Sequence, residues 1–288
     1  MRRLSELVAD ELSEAVDPRV AAMAAAIAAQ YGDAARAVLF YGSCLREAQL
    51  DGLMLDFYLI VSDYASAYDQ RWLALANRLI PPNVFPFQHD GLIAKYAVLS
   101  HADFHRLSGP ETRNVSVWAR FAQPARLVWA ADDAARGAVV IAVARAAPTL
   151  LMAAGAVDGE AQLDWWRRAF ALTYSAELRS ERAGRSTSVV DADPGRYQRF
   201  STAAIGAIPV GSDMRGGGWA RRRVEGKALS VIRLAKASFT YAGGIDYLAW
   251  KINRHAGAAI VIKPWQRRWP LVAALTLVPQ LIWRGAIK

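Results

Sequence analysis

The segment Tyr41-Gly42-Ser43 ends one apolar run, Ala37-Val38-Leu39-Phe40-Tyr41, and Asp56 stands 13 residues after Ser43 at the head of another, Leu55-Asp56-Phe57-Tyr58-Leu59-Ile60-Val61. Phosphate chemistry uses this pairing. A Gly-Ser turn lets backbone N–H groups approach phosphate with no Cβ in the way, and a carboxylate on the next strand can hold Mg²⁺ against the same phosphates. A strand presents residues i and i−2 on one face, so a second carboxylate would be looked for at position 54, which is Met. Gly-Ser with a single Asp is equally the end of an ordinary strand-turn-strand.

The elements that position these residues follow from the apolar pattern. Leu4, Leu7, Val8, Leu12 and Val16 fall near one face of an N-terminal helix, and Ala21–Tyr31 is an alanine-rich helix stopped by Gly32. Strands are expected over 37–41, 53–61 and 94–99, with a helix over 68–79 that Pro81-Pro82-Asn83 breaks. A helix is expected to begin near His101, a strand to cover 125–129, and a helical pattern to run from Asp132 to about Leu178. The fold class is therefore α+β, a mixed sheet with flanking helices followed by a mostly helical region. Domain boundaries are expected near 130 and 240, dividing the chain into 1–130, 131–240 and 241–288. The stretches 181–197 and 211–223 are polar and glycine-rich and read as loops.

Composition excludes several classes. The N-terminus has acids at Glu6, Asp10, Glu11 and Glu14 before any apolar run, unlike a signal or transit peptide. One cysteine, Cys44, gives neither an internal disulfide nor a multi-cysteine zinc site. The pair His101 and His105 has no further zinc ligand in its pattern, and Gly-Ser-Cys is not a nucleophile elbow. The net charge of +9 is uneven, since Trp219–Lys288 holds 13 Lys/Arg against Glu225 and Asp246. That end of the chain calls for an anionic partner. It also carries WPLVAALTLVPQLIW, 269–283, with no charge, a tryptophan at each end and arginines outside. At about 1.5 Å per residue it would reach roughly 22 Å, short of a bilayer's hydrocarbon core of about 30 Å. An interfacial element on anionic lipid, or a buried core helix, fits better than a span. Arg221-Arg222-Arg223 lacks the interleaved aromatics of a nucleic-acid surface, so no nucleic acid is expected.

Nucleotidyltransferases of the polymerase-β-like superfamily share the strand, Gly-Ser turn and following acidic strand, but carry Asp-x-Asp where this chain has Met54-Leu55-Asp56. A closer likeness is carried by five segments in order: Tyr41-Gly42-Ser43, Met54-Leu55-Asp56-Phe57, Pro82-Asn83-Val84-Phe85, Lys95-Tyr96-Ala97-Val98 and Arg120-Phe121-Ala122-Gln123-Pro124. They resemble the mitochondrial-type phosphatidate cytidylyltransferases, the translocator assembly and maintenance family, and its bacterial relatives. The resemblance covers about 37–130, reaches the YSAELR segment at 174–179, and is loose beyond.

The resemblance implies a nucleotidyltransferase domain, a winged-helix-like helical domain and a membrane-contacting tail. It implies an enzyme that makes CDP-diacylglycerol and pyrophosphate from CTP and phosphatidic acid with Mg²⁺, peripheral on the cytoplasmic face of the membrane. Gly42 and Ser43, with Tyr41, would cradle the CTP phosphates, and Asp56 would coordinate Mg²⁺. Lys95 would neutralise phosphate charge, because a lysine on a buried strand needs an anion nearby, unless it snorkels from an edge. Arg120 would grip phosphate with both prongs of its guanidinium or form a surface ion pair. Arg46 would touch phosphate or solvate the loop. Asp90, in the loop before the third strand, is the candidate second metal ligand, ahead of Asp51 and Asp63. A nucleotidyltransferase with a tRNA or small-molecule acceptor, and a membrane-bound pseudoenzyme, are the alternative readings.

Overall fold

The structure is a computed structural model describing residues 2–46, 50, 52–177, 189–212 and 216–240; the expected tail at 241–288 and Asp51 lie outside them, as does the Arg46 side chain. The described residues form an α+β fold. Two N-terminal helices, α1 (Leu4–Ser13) and α2 (Pro18–Ala29), lead into strand β1 (Ala35–Tyr41). The second helix starts earlier than its alanine run suggests because Asp17 accepts a hydrogen bond from the Arg19 amide at 2.8 Å and Pro18 occupies the first turn. A one-turn helix α3 (Ser43–Arg46) follows β1, then β2 (Met54–Val61), α4 (Tyr64–Ala67) and α5 (Arg71–Leu79).

Strand β3 (Asn83–His89) was not legible in the apolar pattern. Pro86 interrupts it and leaves one fewer backbone donor, which an edge strand tolerates. It forms a hairpin with β4 (Leu92–Ser100). Then come α6 (His101–Leu107), α7 (Trp118–Phe121), β5 (Ala125–Ala130), α8 (Asp133–Ala144), α9 (Ala146–Ala154), α10 (Gln162–Ala176), α11 (Pro194–Gly206) and α12 (Trp219–Thr240).

The strand order is β3-β4-β2-β1-β5. Strands β2 and β4 pair in parallel and the other neighbours antiparallel, so the sheet is mixed. Period-2 alternation sends Val38, Phe40, Leu55, Phe57, Ala94 and Tyr96 to one face, under α2. The other face carries Leu39, Tyr41, Tyr58 and Ile60, and packs against side chains of α1 and α6 through α11. Helices beyond residue 130 thus share a core with the sheet, whose last strand, β5, ends at Ala130. Among the described residues none after Ala130 is in a strand, so the β-wing of a winged helix is not seen there.

Candidate active site

The pairing register builds the site. Tyr41 on β1 lies opposite Asp56 on β2, and Asp56 lies beside Lys95 on β4. Residues in one row point to one face, and alternation places that face on the side of the helical layer. The three positions singled out in sequence on separate apolar runs therefore form a single line across the sheet. Lys95 Nζ is 2.8 Å from Asp56 Oδ1, both side chains keeping a minor exposed fraction. The contact is an ion pair by distance, but its direction is poor, and Oδ1 is buried without a well-aligned hydrogen-bond donor.

Gly42 closes the row. Its φ of +98° belongs to glycine, and a Cβ there would come within 2.9 Å of Asp56 Oδ2. The turn can therefore lie against the carboxylate only because position 42 has no side chain. Ser43 follows directly as the first residue of α3, with the Leu45 amide bonded to the Gly42 carbonyl at 3.3 Å. Cys44 on the same turn is buried and approaches the Met54 carbonyl at 3.5 Å, which ties the turn to the start of β2.

Arg120, from α7, stacks its guanidinium 4.8 Å above the Tyr41 ring. It is partly exposed as a whole, while its Nε is buried without a hydrogen-bond partner. Burial disfavours its charge, but Tyr41, Tyr58, Glu177 and Asp56 favour it and prevail, so its pKa is raised. Glu177, just past α10, lies among the same groups. Burial pushes the Tyr58 hydroxyl up, keeping it neutral.

Helix α12 contributes two cations that the sequence pattern did not single out. Arg233 donates through Nε to the Pro81 carbonyl at 2.9 Å and through Nη1 to Ser116 Oγ at 2.9 Å. Lys236 donates to the Pro82 carbonyl at 2.8 Å and also to that of Ile80. Burial pushes Lys236 down to about 7, with Arg233 adding to the shift, and burial also lowers Arg233. The partners are more than a hundred residues away in sequence, which is why no local signal marked these two.

Asp90 is not brought into the row. With Gly91 it makes the two-residue turn of the β3–β4 hairpin, where φ is +46° and +76°, the double positive of a type I′ turn. Its exposed carboxylate faces His89 Nε2 at 3.4 Å. Leu92, the first residue past the turn, is three strand steps, about 10 Å, from Lys95 at ~3.3 Å per residue. Asp63 caps α4 by accepting from the Ala65 and Ser66 amides, at the far end of β2 from Asp56. Among the described residues no cluster of three or more His, Cys, Asp or Glu could hold a metal by itself.

A comparison of the sequence with protein-family models and with curated proteins returns no match. The chemistry of the site accordingly rests on its own residues.

Proposed function

We propose that the protein is a nucleotidyltransferase of the CTP:phosphatidate cytidylyltransferase type. A phosphate oxygen of phosphatidic acid would attack the α-phosphorus of CTP, the bond to the β-phosphate would break, and CDP-diacylglycerol and pyrophosphate would leave. The observation that carries this reading is the close-packed row in which Gly42 abuts one oxygen of Asp56 while Lys95 stands 2.8 Å from the other. The resemblance of five ordered segments to the phosphatidate cytidylyltransferases supports the choice of nucleotide and acceptor. The helical layer and the basic end of the chain would correspond to that family's winged-helix-like domain and membrane-contacting tail.

In this reading the backbone of Gly42 and Ser43 receives the triphosphate, Tyr41 supports the turn, and Lys95 exchanges its contact with Asp56 for one with phosphate. Arg46, at the end of α3, follows the same turn. Mg²⁺ binds through one or two carboxylates and otherwise through substrate phosphate and water. Asp56, with its poorly served Oδ1, fits such an ion arriving with the nucleotide, and the ion would neutralise charge developing on the phosphates. Asp90 is not placed to share it.

A lipid acceptor also suits the surface. Helix α5 exposes Trp72, Leu75 and Leu79 on one stripe, with Arg71 and Arg78 beside it and no acid in the helix. An aromatic and two leucines flanked by arginines suit a headgroup boundary, consistent with a peripheral position on the cytoplasmic face of the membrane. Among the described residues one apolar stretch, Asp133–Ala154, is long enough to cross a bilayer, and it is mostly buried in the core.

The test follows pyrophosphate release from CTP and Mg²⁺ with vesicles of phosphatidylcholine alone or with phosphatidic acid. Release only with phosphatidic acid is the expected result; equal release in both would move the acceptor elsewhere. The lone carboxylate of the row favours one competing reading, a pseudoenzyme. Calorimetry showing no Mg²⁺-dependent CTP binding would establish it in place of the enzyme.

A further inference from the structure

We infer that Arg120 and Arg233, supported by Lys236, form a second anion receptacle beside the Gly42–Asp56 row, and that its ligand is the phosphate monoester of the acceptor. The two arginines meet on one segment: Arg233 holds Ser116 Oγ at 2.9 Å, and Arg120 is four residues further on, over Tyr41. Two guanidiniums so placed repel, and Arg120 is among the groups that disfavour charge on Arg233.

Their acceptors do not remove the problem. The oxygens that Arg233 and Lys236 engage are Ser116 Oγ and the backbone carbonyls of Ile80, Pro81 and Pro82, all neutral. They satisfy hydrogen bonds and leave charge uncompensated, while Arg120 Nε has no acceptor. Among the described residues the acids facing the group are Glu177 and Asp56, and Asp56 is already in contact with Lys95. Among the described residues three cations, Lys95, Arg120 and Arg233, with Lys236 as a fourth where it is protonated, thus stand against two carboxylates. Enclosed charge without a counter-charge is costly, and an anion relieves it.

A phosphate monoester fits the remainder. Above its second pKa of about 6 it carries close to two negative charges and three acceptor oxygens, and arginine prongs match it geometrically. The receptacle rests on the proposed function for the word acceptor, but its existence is tested by binding alone. The phosphate could belong to a lipid headgroup or to a soluble monoester.

The experiment titrates the full chain calorimetrically with glycerol 3-phosphate and, separately, with CTP, in wild type, Arg233→Gln and Arg233→Lys, with melting curves to confirm folding. Loss of one charge-assisted contact is expected to weaken glycerol 3-phosphate roughly tenfold or more in Arg233→Gln, with partial recovery in Arg233→Lys and CTP affinity unchanged. Undetectable glycerol 3-phosphate binding by wild type, equal affinities in folded Arg233→Gln, or parallel loss of both ligands would overturn the inference. Displacement of glycerol 3-phosphate by phosphatidic acid vesicles, but not by phosphatidylcholine, assigns the lipid; no displacement assigns a soluble monoester. If the receptacle binds but CTP is never turned over, the catalytic reading fails and the receptacle stands.

Discussion

Arg196 and Arg120 are both enclosed arginines stacked on tyrosine rings, yet they differ in what compensates them. Arg196, on α11, pairs with Glu11 of α1 through both prongs, one at 2.9 Å, and donates to the Ala122 carbonyl at 3.0 Å. Every part of that contact joins elements of the core. Arg120 has the Tyr41 face, a neighbouring arginine and an unpartnered Nε, with Glu177 and Asp56 favouring its charge but no acceptor at that nitrogen. The first arrangement is complete without a ligand and works as a clamp. The second leaves a donor without an acceptor near a glycine turn and a carboxylate, which the proposed phosphate site would use.

Removing an acid from the complete pair should have the largest effect on stability. Glu11→Ala strands the Arg196 guanidinium and is expected to cost about 3–5 kcal/mol, read as a lower urea midpoint at unchanged slope. The arginine with an unserved donor should matter less to stability and more to turnover. Arg120→Met is expected to lower the midpoint much less than Glu11→Ala, because no bidentate acid is left stranded, while turnover falls roughly tenfold to a hundredfold. A stability loss as large as that of Glu11→Ala would erase the distinction between the two sites.

Gly42→Ala should produce an intermediate effect. The positive φ costs about 1–3 kcal/mol for a residue with a Cβ, and the new methyl group meets Asp56 Oδ2. Turnover and CTP affinity should both fall, measured by steady-state kinetics and calorimetry. The smallest effect concerns Lys236, whose pKa is pushed down to about 7 by burial. Between that value and the ordinary lysine pKa the unfolded chain binds the extra proton and the folded chain does not. Stability should therefore rise with pH from about 7 toward about 10.4, by at most one proton's worth of slope. Lys236→Met should lack this rise when melting is followed across that range, and identical pH profiles would contradict the assigned environment.

Much of the scaffold was legible because its signals are local. Apolar runs ended by Gly42-Ser43 and opened by Asp56 defined β1 and β2, and the apolar residues around Lys95 defined β4. The spacing of Gly42, Ser43 and Asp56 led to the turn and carboxylate that the register places together. Strand β3 was missed because a central proline weakens the pattern of an edge strand. Asp90 was assigned to a metal through its position before β4, although Asp-Gly between two apolar segments is a hairpin signal first. Arg233 and Lys236 left no trace in sequence, since only tertiary packing brings α12 to the Pro81–Pro82 loop.

The central claim is tested most directly by following CDP-diacylglycerol formed from CTP and phosphatidic acid with Mg²⁺, for wild type and Asp56→Ala side by side. The account predicts product from the wild type and a fall of at least about 10²–10³-fold in the variant, with melting essentially preserved. Product formation by Asp56→Ala at the wild-type rate would contradict it.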